Sequence, residues 1–141
     1  MRVLLDTNIL IDFYTHRAGY YDSAEKIMTA CAKKAIDGCI AAHSITNAFY
    51  ILRKEISLAE RRAIFKDLCT IVKVIGIDDR KLLNALGNES FTDVEDCLQA
   101  ECAKEFGADY IVTRNVKDFA ESSIPAITPG EFIQLAEGTQ Q

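Results

Sequence analysis

The sequence predicts a three-layer α/β/α sandwich with a small central parallel sheet, and three observations carry that prediction. Short apolar runs alternate along the chain with longer stretches of helical periodicity. The apolar runs lack the polar alternation of a half-exposed sheet, which suits strands buried on both faces. Each run ends in a polar turn that leads into a helix, and right-handed crossovers then collect the strand C-termini on one edge.

Residues 2–5, Arg-Val-Leu-Leu, form the first strand and stop at Asp6. Residues 7–15 carry Ile9, Leu10, Phe13 and Tyr14 at helical spacing. A second helix over 22–36 has Asp22 as N-cap and Glu25 three residues on. Residues 38–42 are a short buried strand, followed by a helix over 44–55 with Ile45, Phe49 and Leu52 facing inward. Ser57-Leu58-Ala59-Glu60 is a capping box that opens a helix to residue 70. A strand over 72–77 and a short helix over 79–86 follow. Thr92-Asp93-Val94-Glu95 is a second capping box, opening a helix that Gly107 ends. The last clear strand is 110–113; Asn115 then suits the cap of a short helix, Val116 to Phe119. Thr128 caps a final helix with Pro129 at its first position. Residues 1–137 form one domain, and 138–141, Gly-Thr-Gln-Gln, are expected to be a disordered tail. Sheet order is not available from periodicity.

Composition narrows the function classes. The 141 residues are 49% hydrophobic and 26% charged, enough for one ordinary core. A net charge of -5 excludes a global attraction for nucleic acid, so such a partner needs a local basic face or bridging cations. Cys31, Cys39, Cys69, Cys97 and Cys102 lack the spacing of a zinc site and read as reduced thiols of a cytoplasmic protein. No apolar stretch reaches the ~18 residues of a membrane span, and the first is too short for a signal peptide.

The chemistry concentrates at the expected sheet edge. Asp6 directly follows a buried strand, where an acid is costly unless it is paired, capping or bound to a metal. Capping the next helix is compatible with metal binding, because one carboxylate oxygen is enough for each task. Asp93 and Asp96 are three residues apart and share a helix face, Asp96 beside the apolar Cys97, Leu98, Ala100 and Ala103. Glu95 and Glu101 read as solvated acids. Thr113 ends the last strand with a hydroxyl toward the same edge, followed by Asn115 and Asp118. Asn47 lies inside a helix one turn after Ser44, a poor position for Asn that implies a hydrogen-bonding task. Asn8 joins the polar turn after the first strand. His43 reads as a helix-start residue and Asp12 as surface or support. Arg114 and Lys117, with Arg17, Arg53 and Lys54, are candidate cations at the rim. Grouped carboxylates suit Mg2+ or Mn2+, hard ions that keep several waters and turn an acidic cleft into a site for phosphate. Such an ion activates water and stabilises the developing charge.

On these residues the chain resembles the PIN domain family, the metal-dependent ribonuclease fold of VapC-type toxins. The motifs are Leu5-Asp6-Thr7-Asn8, Asp93-Val94-Glu95-Asp96-Cys97-Leu98-Gln99-Ala100, and Ile111-Val112-Thr113-Arg114-Asn115-x-x-Asp118-Phe119. The resemblance implies a Mg2+- or Mn2+-dependent endoribonuclease, with RNA as substrate, an antitoxin protein as possible partner, and homo-oligomerisation. It implies Asp6 and Asp96 as metal ligands and first and third acids of the family pattern. The second and fourth acids fall at Asn47 and Asn115, so Asp93 and Asp118 are the expected replacements and complete the catalytic set. Asn8, Ser44, Asn47, Thr113 and Asn115 are supporting polar groups, and Arg114 and Lys117 grip RNA. The two amides also raise an alternative, a catalytically weakened PIN-like domain that binds nucleic acid or protein. A phosphatase-like hydrolase with Asp6 as nucleophile is disfavoured by Asn8 and by the lack of a phosphate-gripping Lys.

Overall fold

A computed structural model describes residues 1–139. The sheet has five strands: β1 (Arg2–Leu5), β2 (Asp37–Ala41), β3 (Lys73–Ile75), β4 (Tyr110–Val112) and β5 (Ala126–Ile127). Helices α1 (Thr7–Thr15) and α2 (Tyr21–Ala32) join the first two strands. Helices α3 (Ala42–Ile51) and α4 (Leu58–Ile71) join β2 to β3, and α5 (Asp79–Gly87) and α6 (Val94–Phe106) lead to β4. Helix α7 (Pro129–Thr139) follows β5. The strand order is β3-β2-β1-β4-β5, and all four pairings are parallel.

Strand β1 shows why this sequence makes three layers. Val3, Leu4 and Leu5 are all fully buried, and their side chains alternate between faces. Val3 and Leu5 join a core with Ile9, Leu10, Ile27, Phe65 and Phe132. Leu4 joins the opposite core with Cys102, Ala103, Phe106, Ile111 and Phe119, mostly from α6 and β4. Burying one such side chain is worth about 1.5–3 kcal/mol. Both faces of the strand therefore favour the same register.

The helix ends follow local chemistry, with some differences from the expected boundaries. Ser57 accepts a hydrogen bond from the Glu60 N–H at 3.2 Å, as its capping box requires. Helix α6 is capped by Asp93, which accepts from the Asp96 N–H at 3.0 Å; the cap lies one residue later than Thr92. Helix α2 starts at Tyr21 without a side-chain cap, so Asp22 sits inside its first turn. It ends at Ala32, short of residue 36, because Lys34 adopts a left-handed conformation (φ 60°). Helix α3 starts two residues before Ser44 and tightens into a 3-10 turn at Leu52–Lys54. Strand β5 has two residues, too few to show periodicity. It is fixed by the Ile111 N–H donating to Pro125 O and the Thr113 N–H donating to Ile127 O. Helix α7 continues through Gly138 and Thr139; Gln140 and Gln141 of the expected tail lie outside the described residues. Gly38 brings β2 close to α2: a Cβ there would stand 2.7 Å from Cys31 Sγ.

The described cysteines are all free, and only Cys69 is exposed. Among the described residues no helix is long and apolar enough to cross a membrane.

From β1 the chain builds outward to β2 and β3, then returns to the other side of β1 for β4 and β5. This reversal creates a crevice beyond the C-terminal ends of β1 and β4, where open α/β sheets bind their ligands. Asp6 and Thr113 stand at that point, and the Asp6 N–H donates to Val112 O at 3.0 Å.

Candidate functional site

The crevice widens into a cleft of about 460 Å3, floored by Asp6 and walled by α3 and α6. Asp6 is 6% exposed, and both of its carboxylate oxygens accept hydrogen bonds. Oδ1 accepts from the Thr7 N–H at 2.6 Å and from Gln99 Nε2 at 2.8 Å. Oδ2 accepts from Thr113 Oγ1 at 2.7 Å and from Asn8 Nδ2 at 3.2 Å. Four neutral donors thus offset the cost of burying the charge and fix the carboxylate's orientation. The Thr113 hydroxyl also accepts from the Asn115 N–H at 2.9 Å, which shapes the turn after β4.

Asp96 lies half-buried in the first turn of α6 and lines the same cleft. Burial, and then the charges of Asp93, Asp6, Asp118 and Glu95, push its carboxyl up to about 7. The cleft is therefore short of positive charge. It also contains acceptor oxygens without donors: Gln99 Oε1 and Asn8 Oδ1 are buried and unpartnered. Among the described residues, no three His, Cys, Asp or Glu side chains gather into a metal-holding group. Two carboxylates and neutral oxygens still suit a Mg2+-type ion, which is held by one or two carboxylates and keeps several waters. Asp6 and Asp96 are the residues that would hold it.

A PIN domain family model matches residues 2–117. The chain belongs to the PIN domain family. It is 28% identical to "Ribonuclease VapC1" of Aquifex aeolicus (strain VF5), an alignment covering 94% of each chain. Several solved structures share the fold. One is FitAB bound to a DNA fragment (TM-score 0.67, 13% identity, 90% of this chain and 94% of that one). Another is a toxin-antitoxin complex from Klebsiella pneumoniae (TM-score 0.66, 21% identity, 90% and 97%). A third is VapBC-1 from nontypeable Haemophilus influenzae (TM-score 0.66, 17% identity, 92% and 99%).

Membership in the PIN family gives meaning to the remaining side chains. Asn47 and Asn115, the expected counterparts of two acids, both line the cleft. The expected replacements do not. Asp93 is exposed, outside the lining, and spends Oδ1 on capping α6. Asp118 is exposed in the 3-10 turn Val116–Phe119, also outside the lining. Both act on the site through their charge at Asp96. Asn115 makes no side-chain cap for that turn. Ser44 is fully buried, with an unpartnered hydroxyl away from the cleft lining.

Arg114 lines the cleft, but its guanidinium is committed. Nε and Nη2 donate to the two oxygens of Asp12 at 2.7 and 3.2 Å, and the group lies 4.5 Å from the Tyr20 ring centroid. Asp12 is 1% exposed, so this pair braces α1 against the turn after β4. Lys117 is exposed and outside the lining.

Three further residues, Gln99, His43 and Glu95, complete the cleft. Gln99 orients Asp6; its spacing of three from Asp96 is the signal that could have found it. His43 donates from Nε2 to the Glu95 carbonyl at 3.1 Å, leaving Nδ1 unprotonated, buried and without a partner. Burial lowers its pKa. Glu95 lines the cleft and accepts from Asn47 Nδ2 at 3.3 Å.

Proposed function

We propose that this PIN domain is a divalent-metal-dependent endoribonuclease acting on RNA phosphodiester bonds in the cytoplasm, and the toxin of a toxin–antitoxin pair. The observation that carries the reading is the convergence of Asp6 from the end of β1 and Asp96 from α6 in one cleft at the sheet's reversal point. The relative named a ribonuclease, aligned over nearly its full length, supports the activity. Structural neighbours that are toxin–antitoxin complexes support an antitoxin partner. Leu82, Leu83 and Leu86, exposed on α5, offer apolar surface for a second copy of the chain.

Asp6 and Asp96 hold Mg2+ or Mn2+ in this reading. When bound, the cation supplies Lewis acidity and a water of lowered pKa. The chain's own residues do the rest. Thr113 and Gln99 fix Asp6 so that its carboxylate need not reorganise. Without a cation Asp96 keeps its proton up to about pH 7, so the cation would displace that proton on binding. Tyr50 lines the cleft, is 62% exposed, and lies 3.7 Å from the Arg53 guanidinium, which supports stacking of an unpaired base beside a cation.

The test is cleavage of single-stranded RNA with Mn2+, comparing the native chain with Asp6→Asn. Metal-dependent cleavage that falls at least ~100-fold in the variant is expected, about 3 kcal/mol of transition-state stabilisation. Equal cleavage by both proteins, or none by either, overturns the reading. The amides Asn47 and Asn115 in the cleft favour a second reading, a weakened domain that binds RNA or protein without cutting. It requires binding that survives both chelation and Asp6→Asn.

A further inference from the structure

We propose that Glu95 supplies, from α6, the negative charge that the PIN pattern places at position 47 on α3, and that it acts on the hydration shell of the cation held by Asp6 and Asp96. This inference rests on the metal-dependent reading above. Position 47 carries an amide, and that amide is turned to the neighbouring acid: Asn47 Nδ2 donates to Glu95 Oε2 at 3.3 Å. One turn earlier on the same helix, His43 Nε2 donates to the Glu95 backbone carbonyl at 3.1 Å. Helix α3 therefore grips both the main chain and the side chain of this one residue across the cleft. Asn47, Glu95 and Asp96 all line the cavity, whereas Asp93 and Asp118 do not.

A second observation points to a ligand between these walls. Gln99 is 3% exposed, lines the same cleft, and holds Asp6 with its Nε2, yet its Oε1 has no partner. A hydrated cation provides both positive charge and water O–H donors for such an oxygen.

The exchange of positions also has a physical reason. Glu95 stands in the first turn of α6, where the helix dipole favours negative charge; Asn47 is inside α3 and has no such benefit. An acid at 47 facing Glu95 would repel it, whereas the amide donates to it. The absence, among the described residues, of three acids gathered for direct coordination gives Glu95 an outer role, through water bound to the ion. Its exposed side chain leaves room for that water.

The test is Mn2+ titration calorimetry on the full chain, with thermal melting as a control. The proteins are native, Glu95→Gln, and the double variant N47D/E95Q, which exchanges acid and amide while keeping both side-chain lengths. Glu95→Gln is expected to weaken Mn2+ binding about tenfold, the scale of outer-shell partners, with melting unchanged. The double variant is expected to return to within about threefold of native, a rescue that a merely structural role does not produce. Native affinity in Glu95→Gln, or no recovery in the double variant, overturns the inference and leaves the metal reading standing. No Mn2+ binding by the native chain overturns both.

Discussion

The floor and the rim of the cleft handle negative charge in opposite ways. At the floor, Asp6 is buried and receives four neutral hydrogen bonds, so its charge is neither cancelled nor free to move. At the rim Glu95 is exposed, Asp93 and Asp118 are exposed beyond the lining, and the charges of all three bear on Asp96. The difference teaches that orientation and charge are supplied separately. Strand ends and buried donors set where the carboxylate points, and the first turn of α6 sets the electrostatic demand that a cation would answer.

The comparison breaks first at the support beneath the floor. Arg114→Ala leaves the Asp12 carboxylate buried and unpaired, and a loss of about 3 kcal/mol in urea-unfolding stability is expected. A loss under ~0.5 kcal/mol, as for an ordinary surface charge, would show that the pair does not brace the turn. Gln99→Leu comes next. It removes one of four donors to the buried Asp6 carboxylate, and should cost about 1–2 kcal/mol of stability while weakening Mn2+ binding. Unchanged stability would mean that Asp6 does not depend on its neutral donors.

The smallest effect belongs to Asp96 and is a matter of sign. Its folded pKa, about 7, lies above the ordinary value of 3.8, so the folded chain binds this proton more tightly than the unfolded chain. The stability it contributes is fully present below pH ~4 and is lost as pH rises through ~7. Asp96→Asn should therefore melt higher than native in metal-free buffer at pH 8, by a few degrees, with the gap closing at pH 4. A native protein that melts higher at pH 8 would mean that Asp96 is not crowded by like charge.

What the sequence made legible follows the range of the interactions. Asp6, the Ser57 capping box, Gly107 at the end of α6 and the polar turn after Thr113 are local signals, and the structure carries each of them. The five-stranded parallel sheet between helical layers matches the expected sandwich. Pairings between residues 93 to 107 positions apart left no local trace: Gln99 with Asp6, Arg114 with Asp12, Thr113 with Asp6. Arg114 read as a phosphate grip because its buried partner lies on another element. Glu95 is exposed, as expected of a solvated acid, but its bond to Asn47, 48 positions away, left no local trace. Asp93 and Asp118 were placed by spacing, which fixes a helix face and not what that face meets.

The central claim is that Asp6 and Asp96 hold one divalent ion between them. Its most direct test is Mn2+ titration calorimetry in buffers of different ionisation heat, at pH 6 and pH 8.5. At pH 6 Asp96 is mostly protonated, so binding should release close to one proton; at pH 8.5 it should release almost none, with higher affinity. Asp96→Asn should bind more weakly and release no proton at either pH. Mn2+ binding with no proton release at pH 6, or with equal affinity in Asp96→Asn, would contradict the account.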